Sequence, residues 1–282
     1  MKPIALIIVT VVKNDLESLY RTEKSLRNQT SSAKWIIVTP QDFSATYLHI
    51  SSLKTEGLVT EVLHDLGTGL YSAMNLAIDF AKGIDWLWFM NAGDEFAEKS
   101  SLAIVNQHIF ETNSRWIYGG HILASSEGKH LGVIPAPVRF SCNSQLYAKR
   151  YLSHQSVVFE CGLLKELGGF RLNFKIAADW DLLVRASKIT PGLRVNSLLS
   201  VFFMGGLSTR NRKTGNAELL QLRKEHLPIY DLPRSYIWFS YRSVRNWIVE
   251  RVERKFPTMT DRIRSFRLTI KNKSQLTERC HK

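Results

Sequence analysis

The 282 residues hold only three cysteines, Cys142, Cys161 and Cys280, with no CxxC or Cys/His spacing around them. An odd, scattered set argues against a disulfide framework and against a zinc module, and it suits a reduced cytosolic compartment. GxGxxG and GK[ST] are absent, which removes the dinucleotide and P-loop fingerprints; GxSxG and HExxH are absent too, so a serine hydrolase and a zincin have no support. No low-complexity tract or fixed-period repeat occurs, which argues against solenoids and disordered tails. No apolar run approaches the ~20 residues that a bilayer-spanning helix needs. The run from Ile4 to Val12 follows Lys2 in the manner of a signal peptide, but Lys13, Asn14 and Asp15 come next with no small-residue cleavage site. It reads as a buried first strand.

What is present is a globular composition, 44% hydrophobic and 22% charged, long enough for one large domain or two small ones. The net charge is +13, and its distribution is uneven: from Arg234 to Lys282 thirteen Lys or Arg face four carboxylates. Such asymmetry points to an appended segment that meets an anionic surface, either lipid or nucleic acid.

Hydrophobic periodicity divides the first hundred residues into alternating elements. "PIALIIVTVV" reads as a buried strand, and Asn14 or Asp15 can cap a helix carrying Leu16, Leu19, Tyr20 and Leu26 on one side. "AKWIIVT" is a second strand, "DFSATYLHISSL" a second helix and "LVTEVLHD" a short third strand. Tyr71, Met74, Ala77, Ile78 and Ala81 make the stripe of a third helix that Gly83 stops, and "IDWLWFMN" is a fourth strand. Alternation of this kind implies right-handed crossovers and a mostly parallel sheet. Further on, "RWIYGGHIL" and "SQLYAKRYLSHQSVVFE" read as strands of a mixed or antiparallel extension, "CGLLKELGGF" as a short helix, and "AADWDLLVRASKI" as a helix with Trp180, Leu183, Val184 and Ile189 on its apolar face. Beyond Pro233 the chain reads as a long basic amphipathic helix, with Ile237, Tyr241, Val244, Ile248 and Val252 recurring every three or four positions.

In open α/β sheets, ligands bind beyond the carboxyl ends of the strands. That edge receives Asn91, Gly93 and Asp94, directly after the most apolar strand, and Asp65 with the Gly67–Gly69 turn, where helix N–H groups attract phosphate. Asp94 can take a hard divalent cation or can end the strand as a turn and cap. Asn75 lies on or beside an apolar stripe, with a hydrogen-bonding role or a packing one. Asp179 and Asp181 are two apart and cannot share a helix face, so one points to a cleft and the other caps or meets solvent. His154 and Gln155 sit in a strand-like run, as structural residues or as site residues.

The order of these blocks resembles a known family. "IIVTVVKNDLESLYRTEKSLRNQT", "GLYSAMNLAIDFAKGIDWLWFMNAGDEF", "HQSVVFECGLLKELGGFRLNFKIAADWDLLVRA" and "GGLST" are similar, in order and separation, to the blocks of family 2 glycosyltransferases of the bacterial polysaccharide-biosynthesis subgroup. The resemblance covers about residues 4 to 210. It implies a GT-A fold, a Rossmann-like, mostly parallel sheet flanked by helices, with a mixed acceptor-side extension and a C-terminal amphipathic helix. It implies a glycosyltransferase domain over 1–212, its nucleotide-sugar half about 1–98 and its acceptor half about 99–212, followed by a basic helical segment over 213–282. Asp94 matches the carboxylate that binds the metal, Mg²⁺ or Mn²⁺, of the donor diphosphate, with Asn91 and Gly93 in place of further carboxylates. Asp179 matches the general base, with Asp181 as runner-up and Ala178 where many relatives have Glu. Asn75, Asn91, Gly93, Asp42 and Asp65 fall on the donor side, Asp42 displaced from the usual position, where Thr39 stands; His154 and Gln155 fall on the acceptor side.

The function so implied is inverting transfer of a sugar from a nucleotide-sugar donor to a hydroxyl of a glycan or lipid-linked acceptor in cell-surface polysaccharide biosynthesis. The place is the cytoplasm, peripheral on the inner face of the membrane, with the basic terminal helix on anionic lipid. Two other readings stand beside it. A nucleic-acid-binding protein could use the same basic segment, although no zinc module, RNP-like motif or clear helix-turn-helix accompanies it. An inactive transferase-like scaffold would fit the loss of carboxylates at Asn91 and Gly93.

Overall fold

A computed structural model describes residues 5–42, 44–111, 113–146, 152–206 and 211–237, with 240, 241, 244, 248 and 251 in the last helix. Residues 207–209 of "GGLST", and Trp238, Arg242, Arg245, Trp247, Val252 and Arg254 of the helix expected beyond Pro233, lie outside them.

Six consecutive strand residues, Leu6–Val11 (β1), alternate between two cores. Ile7 and Val9 face one apolar cluster and Leu6 and Ile8 the other, as a strand buried on both sides requires. Around β1 lie β2 (Lys34–Thr39), β3 (Glu61–His64) and β4 (Trp86–Phe89), all parallel, in the order β3-β2-β1-β4. The helices between them are α1 (Leu16–Arg27), α2 (Ala45–Thr55) and α3 (Leu70–Phe80). α1 and α2 pack Leu19, Leu26, Ile50 and Leu53 on one face, and α3 packs Tyr71, Met74, Ala77 and Ile78 on the other. The expected α3 stripe is buried throughout. Tyr20, by contrast, is half exposed, its ring 4.5 Å from that of His49, because α1 already seals the sheet with Leu19 and Leu26.

After β4 the sheet becomes mixed. β5 (Glu95–Phe96), α4 (Ser101–Glu111), β6 (Trp116–Ala124) and β7 (His130–Ile134) follow, then β8 (Val157–Glu160), α6 (Cys161–Glu166), α7 (Ala178–Ile189) and β9 (Leu193–Phe203), with a short α5 (Cys142–Leu146) before β8. β8 lies antiparallel between β4 and β6, and β9 runs parallel to β6 with β5 on its outer edge. The strand expected across 144–160 is real only from Val157. Before it come α5 and a 3-10 turn, His154–Ser156, held by tertiary bonds: the Trp88 indole donates to the Gln155 carbonyl at 2.7 Å and Ser156 Oγ to the Gly120 carbonyl at 3.0 Å.

α7 has no side-chain cap of its own at Ala177. The cap is supplied by α8 (Arg212–His226), whose buried Glu218 accepts the backbone N–H groups of Lys175, Ile176 and Ala177 at 2.8–2.9 Å. Leu222 of α8 and Leu227 after it join the α3 and α7 core, so residues 212–227 are built into the same body as the sheet. A last helix, α9, begins at 232.

Candidate active site

Because β1 to β4 are parallel, the four segments that follow them open on one edge. At β4 this segment is a tight turn. The Asp94 N–H donates to the Asn91 carbonyl at 2.9 Å, and Asp94 Oδ2 accepts the Asn91 N–H at 2.9 Å. Gly93, at φ 97°, makes the reversal that a side-chain-bearing residue resists. α1 clasps the turn from behind: Gly93 N–H donates to the Ser18 carbonyl and to Thr22 Oγ1, and the Thr22 hydroxyl is shared by the carbonyls of Asn91 and Asp94. Gly93 therefore shapes the turn, and its N–H is taken by α1 and does not serve a donor diphosphate.

Asp94 itself is half-buried at the floor of the edge. Gln155 Nε2 donates to its Oδ1 at 3.1 Å, the amide being set by Ser153 Oγ, which donates to Gln155 Oε1. Burial pushes the Asp94 carboxyl up to about 6, against the opposing pull of His154, Gln155 and the Asn91 N–H. Asn91 Oδ1 is buried with no hydrogen-bond partner among the described residues. An orphan amide oxygen beside a carboxylate with a lone pair left on each oxygen is an all-oxygen donor set, which fits Mg²⁺ or Mn²⁺ and not zinc.

The facing wall is the first turn of α7. Asp179 Oδ1 accepts the Trp180 N–H at 2.9 Å and lies 3.4 Å from the Tyr71 hydroxyl, which also donates to the Ile176 carbonyl at 2.8 Å. Its Oδ2 is 3.3 Å from His154 Nδ1. Burial works against a charge on His154, but Asp179 and then Asp94 hold its pKa above the ordinary histidine value. His154 Nε2 is buried without a partner among the described residues. Asp94 and Asp179 are thus joined across the edge through two consecutive residues, Gln155 on the first and His154 on the second.

Other expected site residues fall elsewhere. Asp181 is fully buried on the opposite side of α7, where Arg171, Arg185 and His226 enclose it. Burial raises its pKa, but His226 and the two guanidinium groups outweigh that and bring it down to about 2. It is an internal anchor between α7, α8 and the 171 loop, out of reach of an acceptor hydroxyl, so the runner-up base falls away. Glu225 and His226 complete an acidic group with Asp181, yet two arginines already neutralise it. Asn75 is spent as well: its Nδ2 donates to the Phe170 carbonyl and its Oδ1 accepts the Phe170 N–H, both at 2.8 Å. Through both atoms it staples α3 to the loop before α7.

Asp42 and Asp65 do lie on the strand-end edge. Asp42, after β2, accepts the Ser44 N–H at 2.9 Å, and hydrogen bonds from the Ser44 side chain and backbone, with a smaller one from Asn14, hold its carboxyl below the usual range. Asp65, after β3, accepts the Gly67 N–H at 3.1 Å and so starts the glycine loop that leads into α3. Three residues of the site escaped the sequence reading. Tyr71 reads as packing within its apolar stripe, while Thr22 and Ser153 carry no signal beyond being polar positions beside apolar ones.

A family model described as glycosyl transferase family 2 matches residues 7–164, more than half of the chain. The chain belongs to glycosyl transferase family 2. An uncharacterized glycosyltransferase of Mycobacterium tuberculosis is 27% identical over 207 residues, 72% of this chain and 76% of that protein. The mannosyltransferase PcManGT of Pyrobaculum calidifontis, solved with GDP-Man and Mn²⁺, superposes with a TM-score of 0.60 at 12% identity over 84% of this chain and 70% of that one. Residues 1–349 of S. aureus TarS, solved with UDP-GlcNAc, superpose with a TM-score of 0.59 at 14% identity over 78% of this chain and 64% of that one. The fold is that of GT-A glycosyltransferases, as expected, and the chain is a glycosyltransferase.

Proposed function

We propose that this glycosyltransferase moves a sugar, with inversion, from a nucleoside-diphosphate donor to a hydroxyl of a glycan or lipid-linked acceptor in cell-surface polysaccharide biosynthesis. The observation that carries the reading is the placement of two carboxylates, Asp94 at the end of β4 and Asp179 at the start of α7, on opposite sides of the His154–Gln155 turn.

Asp94 and the orphan Asn91 Oδ1 would hold the divalent cation, Mg²⁺ or Mn²⁺. Bound there, the ion supplies Lewis-acid neutralisation of the departing diphosphate. Asp42 and Asp65, at the ends of β2 and β3, stand where the nucleoside end of a donor would lie. Asp179 takes the proton of the acceptor hydroxyl. Its Oδ1 is engaged by the Trp180 N–H and the Tyr71 hydroxyl, so Oδ2 carries the accessible lone pair. One base and one displacement give inversion at the anomeric carbon.

The terminal segment supports a peripheral place at the cytoplasmic face of a membrane. Ile237, Tyr241, Val244 and Ile248 are all exposed at helical spacing in a strongly basic part of the chain. No helix among the described residues is long and apolar enough to cross a membrane.

A thermal-shift screen of UDP- and GDP-sugars, with and without Mn²⁺ or Mg²⁺, tests the donor reading. A ligand present at 100 times its Kd stabilises the native state by about 2.7 kcal/mol. The expected result is a rise in Tm with one nucleotide class that grows when the metal is added; no rise with any nucleotide would refute the reading.

A further inference from the structure

The sequence "SHQS", residues 153–156, folds into a 3-10 turn in which each of the four side chains is committed. Ser156 Oγ is fixed to the Gly120 carbonyl at 3.0 Å and to Ser200 Oγ at 2.6 Å. The Gln155 carbonyl is fixed to the Trp88 indole at 2.7 Å. Both anchors lie in the buried centre of the sheet, so the turn cannot drift relative to β4, β6 and β9. From this fixed base two consecutive side chains reach in different directions. Gln155, oriented by Ser153, meets Asp94 Oδ1 at 3.1 Å; His154 meets Asp179 Oδ2 at 3.3 Å.

We propose that the His154–Gln155 turn is a rigid clip that sets the spacing between the donor-holding carboxylate and the base, with Gln155 positioning Asp94 and His154 positioning Asp179. The proposal rests on the transferase reading of this site and assigns a separate job to each residue. A carboxylate offers about four lone-pair sites. On Asp94 the Gln155 and Asn91 N–H groups take one from each oxygen and leave one on each for a ligand. On Asp179 the Trp180 N–H and Tyr71 hydroxyl occupy Oδ1, and His154 occupies one side of Oδ2. A single direction on Oδ2 then remains, and the acceptor hydroxyl must arrive along it. His154 therefore decides where the nucleophile stands, while Gln155 decides where the diphosphate stands. The Asp179 contact, at 3.3 Å, is longer than the Asp94 one, at 3.1 Å, which suits a bond that tightens when the acceptor binds.

The clip predicts that the two variants fail differently. Mn²⁺ is titrated into the full-length protein with UDP, and separately with GDP, by isothermal calorimetry; nucleoside diphosphate release from UDP-GlcNAc and GDP-Man is followed in parallel. Gln155→Met, which keeps volume but removes the donor, is expected to weaken Mn²⁺ binding about 10–100-fold, as loss of an outer partner of a metal ligand does. His154→Leu is expected not to weaken Mn²⁺ binding, since the imidazole's pull on Asp94 opposes a cation there, and to lower kcat about 10–100-fold at unchanged donor KM, as a misplaced reacting group does. His154→Asn places an amide nitrogen where Nδ1 was and is expected to recover most of that kcat. Ser153→Ala loosens the Gln155 amide without touching either carboxylate, and is expected to weaken Mn²⁺ in the same direction as Gln155→Met; it reads the same link should the latter not fold. Equal effects of the His154 and Gln155 variants on both quantities, or an Asn variant no better than Leu, would overturn the clip while leaving the transferase reading intact. A wild-type protein that takes up neither nucleotide nor Mn²⁺ would overturn both.

Discussion

Burial pushes the Asp94 carboxyl up to about 6, although three polar neighbours pull the other way. The sign of the consequence follows from linkage: a carboxyl whose folded pKa lies above its unfolded value contributes stability at low pH, lost as pH rises from about 4 to about 6. Each pH unit of displacement corresponds to about 1.4 kcal/mol. Asp94 is half open to the edge, which reduces the effect, so Asp94→Asn should make the metal-free protein about 1–2 kcal/mol more stable at pH 8 and hardly change it at pH 4. Urea unfolding at the two pH values measures this. The same variant should lose the extra thermal stabilisation that Mn²⁺ adds to a bound nucleotide, so a carboxylate that costs stability is kept for what it binds. Asp179 makes the contrasting case. General-base assistance is worth about 10²–10⁴-fold, so Asp179→Asn should lose that much turnover while the nucleotide still raises Tm as in the wild type. Near-normal turnover in that variant would remove Asp179 from the mechanism. The position of Asp94 beyond the end of an apolar strand is legible in the sequence, whereas the contacts of Tyr71 are not. The Tyr71 hydroxyl finds its partners more than a hundred residues away, at Ile176 and Asp179, and nothing in a local helical stripe records that.

The elements divide in the same way. β1, β2 and β4 follow from continuous apolar runs buried on both faces, and α1 and α3 from period-3.6 stripes, whereas β3 is short and only partly buried. The turn at 154–156 does not, because its conformation is dictated by Trp88, Gly120 and Ser200 from three other strands. α7 was readable as a helix, but which of its two carboxylates faces the cleft was not. Asp179 lies in the open first turn, and Asp181, two residues on, points into Arg171, Arg185 and His226. A depressed carboxyl pKa contributes stability that is present above the unfolded value and lost as pH falls through the folded one. For Asp181 that window runs from about 4 down to about 2. Asp181→Asn leaves the guanidinium groups facing a neutral amide in a buried site, a change that costs about 3–5 kcal/mol. The expected outcome is a variant much less stable at pH 7, with less further loss on acidification to pH 3 than the wild type shows. Urea midpoints at both pH values check it. Equal acid sensitivity of the two proteins would show that Asp181 does not carry this part of the pH dependence.

At the scale of the whole molecule, the catalytic body and the basic segment meet at α8. Its buried Glu218 caps α7 and Leu222 fills the core, so the chain that leaves it toward α9 starts from a fixed point beside α7. From Arg234 to Lys282 this chain carries thirteen basic residues against four acidic ones. Ile229 and Tyr230 before α9, and Ile237, Tyr241, Val244 and Ile248 along it, are exposed apolar side chains. An apolar stripe amid net positive charge binds an anionic bilayer through two terms, burial of the stripe at the headgroup boundary and about 1 kcal/mol for each basic residue near the surface. The electrostatic term weakens with salt, because the screening length falls from about 10 Å at 0.1 M to about 3 Å at 1 M. The full-length protein should therefore co-sediment with vesicles rich in anionic lipid at low salt, much less with neutral vesicles, and partly dissociate at high salt. Truncation after Pro233 should abolish sedimentation while leaving the nucleotide-dependent Tm shift in place, since the strand-end site lies upstream of the cut. Membrane binding that survives the truncation would move the attachment to the body itself. Duplex DNA offered at the same ionic strength decides between surfaces: a bilayer can cover the apolar stripe and a polyphosphate duplex cannot, so vesicle binding should retain a fraction that salt does not remove, whereas DNA binding should be lost with salt entirely.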